Sequence, residues 1–322
     1  MPALITHYLQ ADAVLDHLKK QKEFEIDAKA FLLGAQGPDF LFFDRALPLI
    51  QPGKSLRNAG TLLHQTKPDD LFSYFAAFLQ KNENDRSPAF SYTLGFLCHY
   101  ALDRTAHPFV YWAQDTLIRQ KKIKYNPSIV HTQIENSIDI ILLLEKTGVA
   151  ANRFDMSGCV TNAVYILSPV SKMLDFVIHQ CDPASIATPK KVNRAFCDMF
   201  FLHKAAKDRF GIKHALIRGL EILVFQPPFV STFVRAKQED ARFDYTNSSH
   251  AAWYNVYDPD QKPRTETFLE LFDRSVEDAL GLIHGFCAQK EQKQLQFTGN
   301  LSFKTGLVWE TAMHPNAGKG NR

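Results

Sequence analysis

The chain has 322 residues, enough for one large domain or two modest ones, and its 45% hydrophobic and 22% charged residues are typical of a folded soluble protein. The net charge of +3, from 37 basic and 34 acidic residues, is too weak to indicate a stable complex with nucleic acid. No two of the five cysteines form a C-x-x-C pair, which argues against a thiolate zinc site and a disulfide framework and favours a reducing cytosol.

Hydrophobic residues recur at helical spacing through most of the first 225 residues. This pattern predicts helices over residues 8–20, 69–80, 90–107, 128–146, 158–180, 190–207 and 213–225. Gly37-Pro38 indicates a turn, Pro108 is expected to end or kink the helix before it, and Gly148 is expected to close another.

The amino-acid composition changes after residue 225. Residues 226–263 are rich in Pro, Asn, Ser and aromatic side chains, which predicts an irregular segment that wraps the surface. A last helix is predicted over 265–289, and a short extended piece over 301–303. The sequence therefore predicts an all-α fold, with a helical metal-binding domain over 1–225. Residues 226–322 are predicted to be an irregular wrap plus one helix that belong to the same domain.

The N-terminus lacks the features of a secretory signal. Residues 1–20 carry Asp12, Asp16, Lys19 and Lys20 and have no unbroken apolar core. No stretch of 18 apolar residues occurs, and the closest, 216–234, is interrupted by charged residues and two prolines. A cytoplasmic location without a transmembrane segment is therefore expected.

The strongest chemical pattern is the row His99, Asp103 and His107, in which each member lies four residues after the last. On an α-helix this spacing places all three on nearly one face. Each step climbs about 6 Å, so the two histidines lie about 12 Å apart along the axis. Because zinc binds its ligands at about 2 Å, one ion can hardly reach both. The row favours two ions, with Asp103 able to bridge them.

A second i, i+4 pair, His131 and Glu135, lies on another predicted helix and offers one imidazole and one carboxylate to a shared ion. Three upstream residues could complete the set. His7 lies near the start of the chain, Asp39 follows the Gly37-Pro38 turn, and His64 precedes a loop. All these groups are nitrogen or oxygen donors, which suit zinc in hydrolytic sites. Motifs for a P-loop, a dinucleotide site, a serine hydrolase or an H-E-x-x-H protease are absent.

The order of these residues resembles that of the zinc-dependent phospholipase C family. The order is a His near the start, an Asp, a His, the row H-x-x-x-D-x-x-x-H and finally H-x-x-x-E. The single-strand-specific nucleases with a trinuclear zinc site share that fold. The resemblance spans roughly residues 1–180, and the two i, i+4 motifs are its specific part.

The resemblance implies a ligand set for each ion. A first zinc ion would be held by Asp39, His64, His99 and Asp103, a second by His107, His131 and Glu135, and a third by His7 together with Asp103. In the family the third ion is also bound by the mature N-terminal residue, whereas this chain begins Met1-Pro2-Ala3. Two or three zinc ions are therefore expected.

The expected activity is hydrolysis of a phospholipid or another small phosphate ester, of the phospholipase C type. Zinc lowers the pKa of bound water from about 15.7 to about 7 and polarises phosphoryl oxygens. By the same resemblance, Asp39 would orient or deprotonate the attacking water. Two alternatives stay open: a nuclease or a nucleotide or small-molecule phosphatase on the same fold, and a metal-stabilised binding protein without catalysis.

Two residues of the irregular segment are candidates for substrate binding. His250 and Trp253 lie in the aromatic stretch 247–254 and are expected to line the substrate cleft, where the indole could stack on a headgroup. The oligomeric state is left open by the sequence.

Overall fold

The computed structural model describes residues 4–46, 53–82, 86–121, 126–223, 231, 234 and 243–313, and these form eleven helices and two isolated β-bridges. The helices are α1 (Leu4–Gln21), α2 (Ala28–Gly34), α3 (Arg57–Gln65), α4 (Pro68–Lys81), α5 (Arg86–Lys121), α6 (Pro127–Thr147), α7 (Val164–Cys181), α8 (Pro189–Ala206), α9 (Ile212–Leu223), α10 (Phe268–Gln289) and α11 (Trp309–Met313). Two 3-10 turns cover Asp39–Phe43 and Met156–Cys159. The predicted all-α fold is confirmed.

The helices with clear start and stop residues follow the prediction closely. Pro68, Pro127 and Pro189 stand in the first turns of α4, α6 and α8, where the missing N–H costs nothing. Gly148 closes α6 in the left-handed conformation with φ 70°. The predicted helix over 158–180 begins later, at Val164, because residues 156–159 form a 3-10 turn. The short helices α2, α3 and α11 were not predicted, since each is too brief for a periodic pattern.

Pro108 was expected to end or kink its helix. The predicted end at residue 107 is wrong, because α5 continues to Lys121. Proline lacks an N–H, so the Arg104 carbonyl loses its helical donor. That carbonyl is covered instead by Gly306, at which an added Cβ would lie 2.5 Å from the Arg104 oxygen and 3.3 Å from Pro108 Cγ. Beyond the proline, Phe109 and Ala113 are fully buried. The packing of this apolar face outweighs the cost of roughly 3 kcal/mol for a proline inside a helix.

Helix α5 lies at the centre of the fold and packs against α1, α2, α6, α7 and α10. Its crossing with α2 is unusually close. An added Cβ at Gly34 would lie 2.1 Å from the Tyr92 carbonyl oxygen, and one at Gly95 would lie 1.9 Å from the Phe31 carbonyl oxygen. Only glycines permit this approach. The crossing brings the turn after α2, and with it Asp39, next to the middle of α5.

The N-terminus of α1 is fixed by a buried carboxylate of α6. Asp139 Oδ1 accepts hydrogen bonds of 2.8 Å from both the backbone N–H and the hydroxyl of Thr6, and Asp139 Oδ2 accepts one of 3.3 Å from the N–H of Ile5. A negative charge at a helix N-terminus is favourable. Because His7 follows directly in the chain, this contact also sets its position.

The segment after α10 is held against α4 and α5. Asp69 Oδ1 accepts hydrogen bonds from the backbone N–H groups of Phe297 and Thr298 and from the Thr298 hydroxyl. Tyr100 donates to the Leu301 carbonyl at 2.7 Å. The Leu301–Val308 bridge falls at the predicted extended piece. These contacts bring residues 301–308 over the row on α5.

The C-terminal third shares its core with the rest of the chain. Trp253, Phe286 and Phe303 belong to the same hydrophobic cluster as the buried residues of α5. The predicted boundary at residue 225 lies outside the described residues, and the division into 1–225 and 226–322 stays a prediction. No helix in the part of the chain that the structure describes is long and apolar enough to cross a membrane.

Candidate metal centre

The row on α5 faces one side of the helix, as predicted. His99 Nε2 lies 3.2 Å from Asp103 Oδ2, and His107 Nε2 lies 3.7 Å from Asp103 Oδ1. Asp103 is therefore flanked by an imidazole on each side, one turn before it and one turn after it. Its side chain is only 5% exposed, so its charge has little access to water.

The first cluster forms where the 3-10 turn and α3 meet this row. Asp39 Oδ1 lies 3.3 Å from His64 Nε2, and Asp39 Oδ2 lies 3.9 Å from His99 Nε2. His64 Nε2 also lies 3.6 Å from Asp103 Oδ2 and 3.4 Å from His99 Nε2. The four residues that the family resemblance assigns to one ion are thus brought together.

His7 reaches the same place from α1. Its Nε2 lies 3.4 Å from Asp103 Oδ1, and its ring stacks on that of His99 with centroids 4.3 Å apart. Ligand atoms of His7, His99 and Asp103 all lie within 4.8 Å of one another. Residues 1–3, where the family resemblance implies a further ligand, lie outside the described residues.

The second cluster lies at the other end of the row, against α6. Glu135 Oε1 is 3.2 Å from His131 Nε2 and 3.6 Å from His107 Nε2. These three residues also offer ligand atoms within 4.8 Å of one another. Asp103 lies between the two clusters, 3.7 Å from His107, which is the position expected of a bridging carboxylate.

All five imidazoles present Nε2 to the clusters, and four of them also bond Nδ1 to an oxygen. Each of these four points Nε2 inward and turns Nδ1 to an oxygen: His64 to Gly60 O at 2.8 Å, His99 to Ala35 O at 3.2 Å, His107 to Phe303 O at 2.9 Å and His131 to Gln114 Oε1 at 3.1 Å. Because a carbonyl oxygen can only accept, Nδ1 carries the proton and leaves the Nε2 lone pair free. Histidines that bind metals are oriented in this way.

The spacing of these atoms fits zinc. Ligands bound at about 2.0–2.2 Å in a tetrahedral arrangement lie roughly 3.3 Å apart. The nitrogen–oxygen distances in the two clusters run from 3.2 to 3.9 Å. Asp103 Oδ2 is buried and has no hydrogen-bond partner among the described residues, which leaves it available to an ion. The donor set and the geometry therefore suit the metal that the sequence predicts.

The pKa values of the carboxylates and imidazoles in the two clusters depend on one another. Burial alone would raise the pKa of Glu135, but His131 and His107 outweigh it and hold that pKa well below its ordinary value. Asp103 behaves in the same way, its pKa lowered by His107 and His99 against the effect of burial. Burial lowers the pKa of His107, yet Asp103 and Glu135 raise it to about 9. The carboxylates thus require positive charge, which protons supply when metal is absent.

The metal-free protein should lose stability as the pH rises from about 6.5 to about 9. A histidine whose pKa is raised by folding stabilises the folded state fully at a pH below its pKa in the unfolded chain, about 6.5. This contribution is lost as the pH rises through the pKa of the histidine in the folded protein. For His107, at about 9, the loss amounts to at most about 3 kcal/mol. Melting temperatures of chelated protein at pH 6.5, 7.5 and 8.5 test this. A melting temperature that stays constant over this pH range contradicts the prediction. So does a fall in His107→Gln that equals the fall in the wild-type protein.

The clusters open into a cleft of about 260 Å³. Besides the predicted ligands, it is lined by Phe42, Thr61, Gln65, Tyr111, Phe303 and Lys304. Tyr111 extends the row on α5 by one more i, i+4 step, so the spacing could have indicated it. Phe303 and Lys304 come from the C-terminal segment, where no local pattern indicates a site. A larger cavity of about 670 Å³ lies between α3 and the α7–α8 connection, and none of the eight predicted ligands lines it.

The structure does not place His250 or Trp253 in the cleft, contrary to expectation. Trp253 is fully buried, with its indole N–H donating to Glu266 O at 3.0 Å. The Arg264 guanidinium covers its ring at 4.1 Å. His250 is a surface residue whose Nδ1 lies 3.2 Å from Thr265 O. Both residues hold the segment before α10 in place.

His131→Ala and Glu135→Gln should each weaken binding of the ion at the second cluster and leave the ion at His64 and His99 in place. Both residues belong to the second cluster, and neither contacts Asp39 or His64. Elemental analysis of each variant should show about one zinc fewer than the wild-type chain. His284→Ala, which removes an imidazole at the surface, is the control. Loss of all metal from either cluster variant contradicts two separate sites.

Comparison with known proteins agrees with the donor set. A family model described as zinc-dependent phospholipase C matches residues 6–185, more than half of the chain. This range contains all eight residues of the two clusters. Neither the curated proteins nor the solved structures yield a match.

Proposed function

Because the chain belongs to the zinc-dependent phospholipase C family, we propose that it hydrolyses the phosphodiester of a phospholipid or another small phosphate ester at a centre of two or three zinc ions. The observation that carries this proposal is the common orientation of four imidazoles, each with Nδ1 on an oxygen and Nε2 in the cluster. When bound, zinc activates water and polarises the phosphoryl oxygens.

The residues of the two clusters would bind the ions and orient the attacking water. We assign Asp39, His64, His99 and Asp103 to one ion, His107, His131 and Glu135 to a second, and His7 with Asp103 to a third. Asp39 is the candidate for orienting the attacking water and taking its proton, because its carboxylate faces the cleft. Asp103, between the clusters, fixes their separation.

Access from the cleft favours catalysis over a purely structural role. The side chains of His64, His107 and His131 are 18%, 17% and 14% exposed. Structural zinc sites are closed, whereas catalytic sites keep one position open to water or substrate. Ions held by these histidines would face the cleft, which can admit a phosphate group.

The test is a panel of chromogenic phosphate esters offered to zinc-loaded protein. We expect hydrolysis of phosphodiesters, its loss on chelation and its return when zinc is added. Preference for monoesters or for single-stranded nucleic acid would favour the phosphatase or nuclease alternative. Zinc binding without hydrolysis of any ester would indicate a metal-stabilised binding protein and overturn the proposal.

A further inference from the structure

One cation stands at the mouth of the cleft. Among the described residues that line it, Lys304 is the only lysine or arginine. Its Nζ lies 5.2 Å from the ring centroid of Tyr111 and 5.3 Å from that of Tyr257. The two rings meet edge to face, with centroids 5.2 Å apart. The ring centroids of Tyr111 and His131 lie 4.9 Å apart, so Lys304 and the two tyrosines adjoin the second metal cluster.

The backbone that presents Lys304 is fixed on both sides. Phe303 is 1% exposed, and its carbonyl accepts from His107 Nδ1. Thr305 is buried, and its carbonyl accepts from Asn255 Nδ2 at 2.8 Å. No carboxylate of the described residues lies within ion-pair distance of Lys304 Nζ. Lys304 is therefore presented at the cleft without a carboxylate partner among the described residues.

Two aromatic faces that converge on one point are a typical site for a quaternary ammonium ion. Here the protein's own ammonium occupies that point. A second cation about 5 Å away would be repelled by an amount equivalent to about fourfold in affinity in bulk water and a few hundredfold at an effective dielectric constant of 20. An anionic or neutral group would not be repelled, and a phosphate oxygen would be attracted.

We propose that Lys304, held over Tyr111 and Tyr257, is a specificity residue that excludes headgroups bearing a quaternary ammonium and admits phosphate esters whose headgroup is neutral or anionic. This inference rests on the proposed function, since it concerns the substrate of the same cleft. Lys304 lies outside residues 6–185, the range that the family model covers.

The test compares the p-nitrophenyl esters of phosphocholine and phosphoglycerol, which share a leaving group and differ in headgroup charge. The wild-type enzyme should prefer the phosphoglycerol ester. Lys304→Met, which keeps the length and removes the charge, should raise the choline-to-glycerol ratio of kcat/KM by between about fourfold and a few hundredfold. Lys304→Arg should leave the ratio near that of the wild type. Lys262→Met, a change at an exposed lysine outside the cleft lining, is the matched control.

Binding separates this inference from the proposed function. Calorimetry on zinc-loaded protein with phosphocholine and glycerol phosphate should show the same shift in relative affinity for Lys304→Met. If neither ester is hydrolysed but this shift occurs, the proposed function fails and the role of Lys304 stands. An unchanged ratio in both kinetics and binding, in a folded variant with full metal content, overturns the role of Lys304.

Discussion

Asp103→Asn should abolish activity and cost at least one zinc ion, a larger effect than the loss of either histidine of the row. Asp103 lies within 4 Å of His7, His64, His99 and His107, so among the described residues it is the one carboxylate that contacts both clusters. Paired catalytic ions lie about 3.5–4 Å apart, and their repulsion is poorly screened in a buried site. The amide keeps the shape but removes the negative charge that offsets this repulsion.

The expected magnitude is at least about 100-fold in kcat/KM, since changes to groups that only orient metal ligands already cost 10–100-fold. His107→Ala should reduce only the occupancy of the second site. Asp273→Asn, at an exposed carboxylate that pairs with Lys146, is the control. Metal content, circular dichroism and the phosphodiesterase rate are measured side by side. An Asp103→Asn protein that keeps its ions and a near-normal rate shows that Asp103 is not a bridge.

Gly37→Ala should destabilise the protein and displace His99. Gly37 has φ +52°, and an added Cβ would lie 2.2 Å from His99 Cδ2. The imidazole cannot retreat, because Nδ1 is bonded to Ala35 O and the ring stacks on His7. Left-handed strain of about 1–2 kcal/mol and overpacking of about 1–3 kcal/mol both apply.

The chain offers a matched control for this change. Gly148 has φ +70° with nothing within 4 Å of an added Cβ, so Gly148→Ala pays the strain alone. Urea unfolding should show a loss of about 1–2 kcal/mol for Gly148→Ala and a larger one for Gly37→Ala. Only Gly37→Ala should also lose zinc. Equal losses for the two variants, with full metal content in both, would mean that His99 tolerates the contact.

The sequence predicted the parts of the site that lie on regular helices. The i, i+4 spacing placed His99, Asp103 and His107 on one face because a helix fixes that geometry without any tertiary information. His131 and Glu135 follow the same rule. The remaining ligands, His7, Asp39 and His64, come from separate elements, and only the order of residues shared with the family connected them. Their convergence depends on the Gly34–Gly95 crossing and on the anchoring of α1 by Asp139.

The misjudged features are those that tertiary packing decides. Pro108 was expected to end or kink a helix, but the apolar face beyond it and the packing of Gly306 on the Arg104 carbonyl keep α5 continuous. Trp253 was expected in the cleft, yet its indole is buried against Phe109 and covered by Arg264. Lys304 was missed because nothing around it resembles a motif. It reaches the cleft through contacts of residues 297–305 with α4 and α5, which are distant in sequence.

The most direct measurement is the zinc content of the wild-type chain, determined by elemental analysis on protein never exposed to chelator. Donor atoms lie within 4.8 Å of one another in the group Asp39, His64 and His99 and in the group His107, His131 and Glu135, and Asp103 lies between these groups. This arrangement predicts at least two zinc ions per chain. A third ion is expected if His7 and Asp103 form a site of their own. A content of one zinc ion or none, or full occupancy by another metal, would contradict the account.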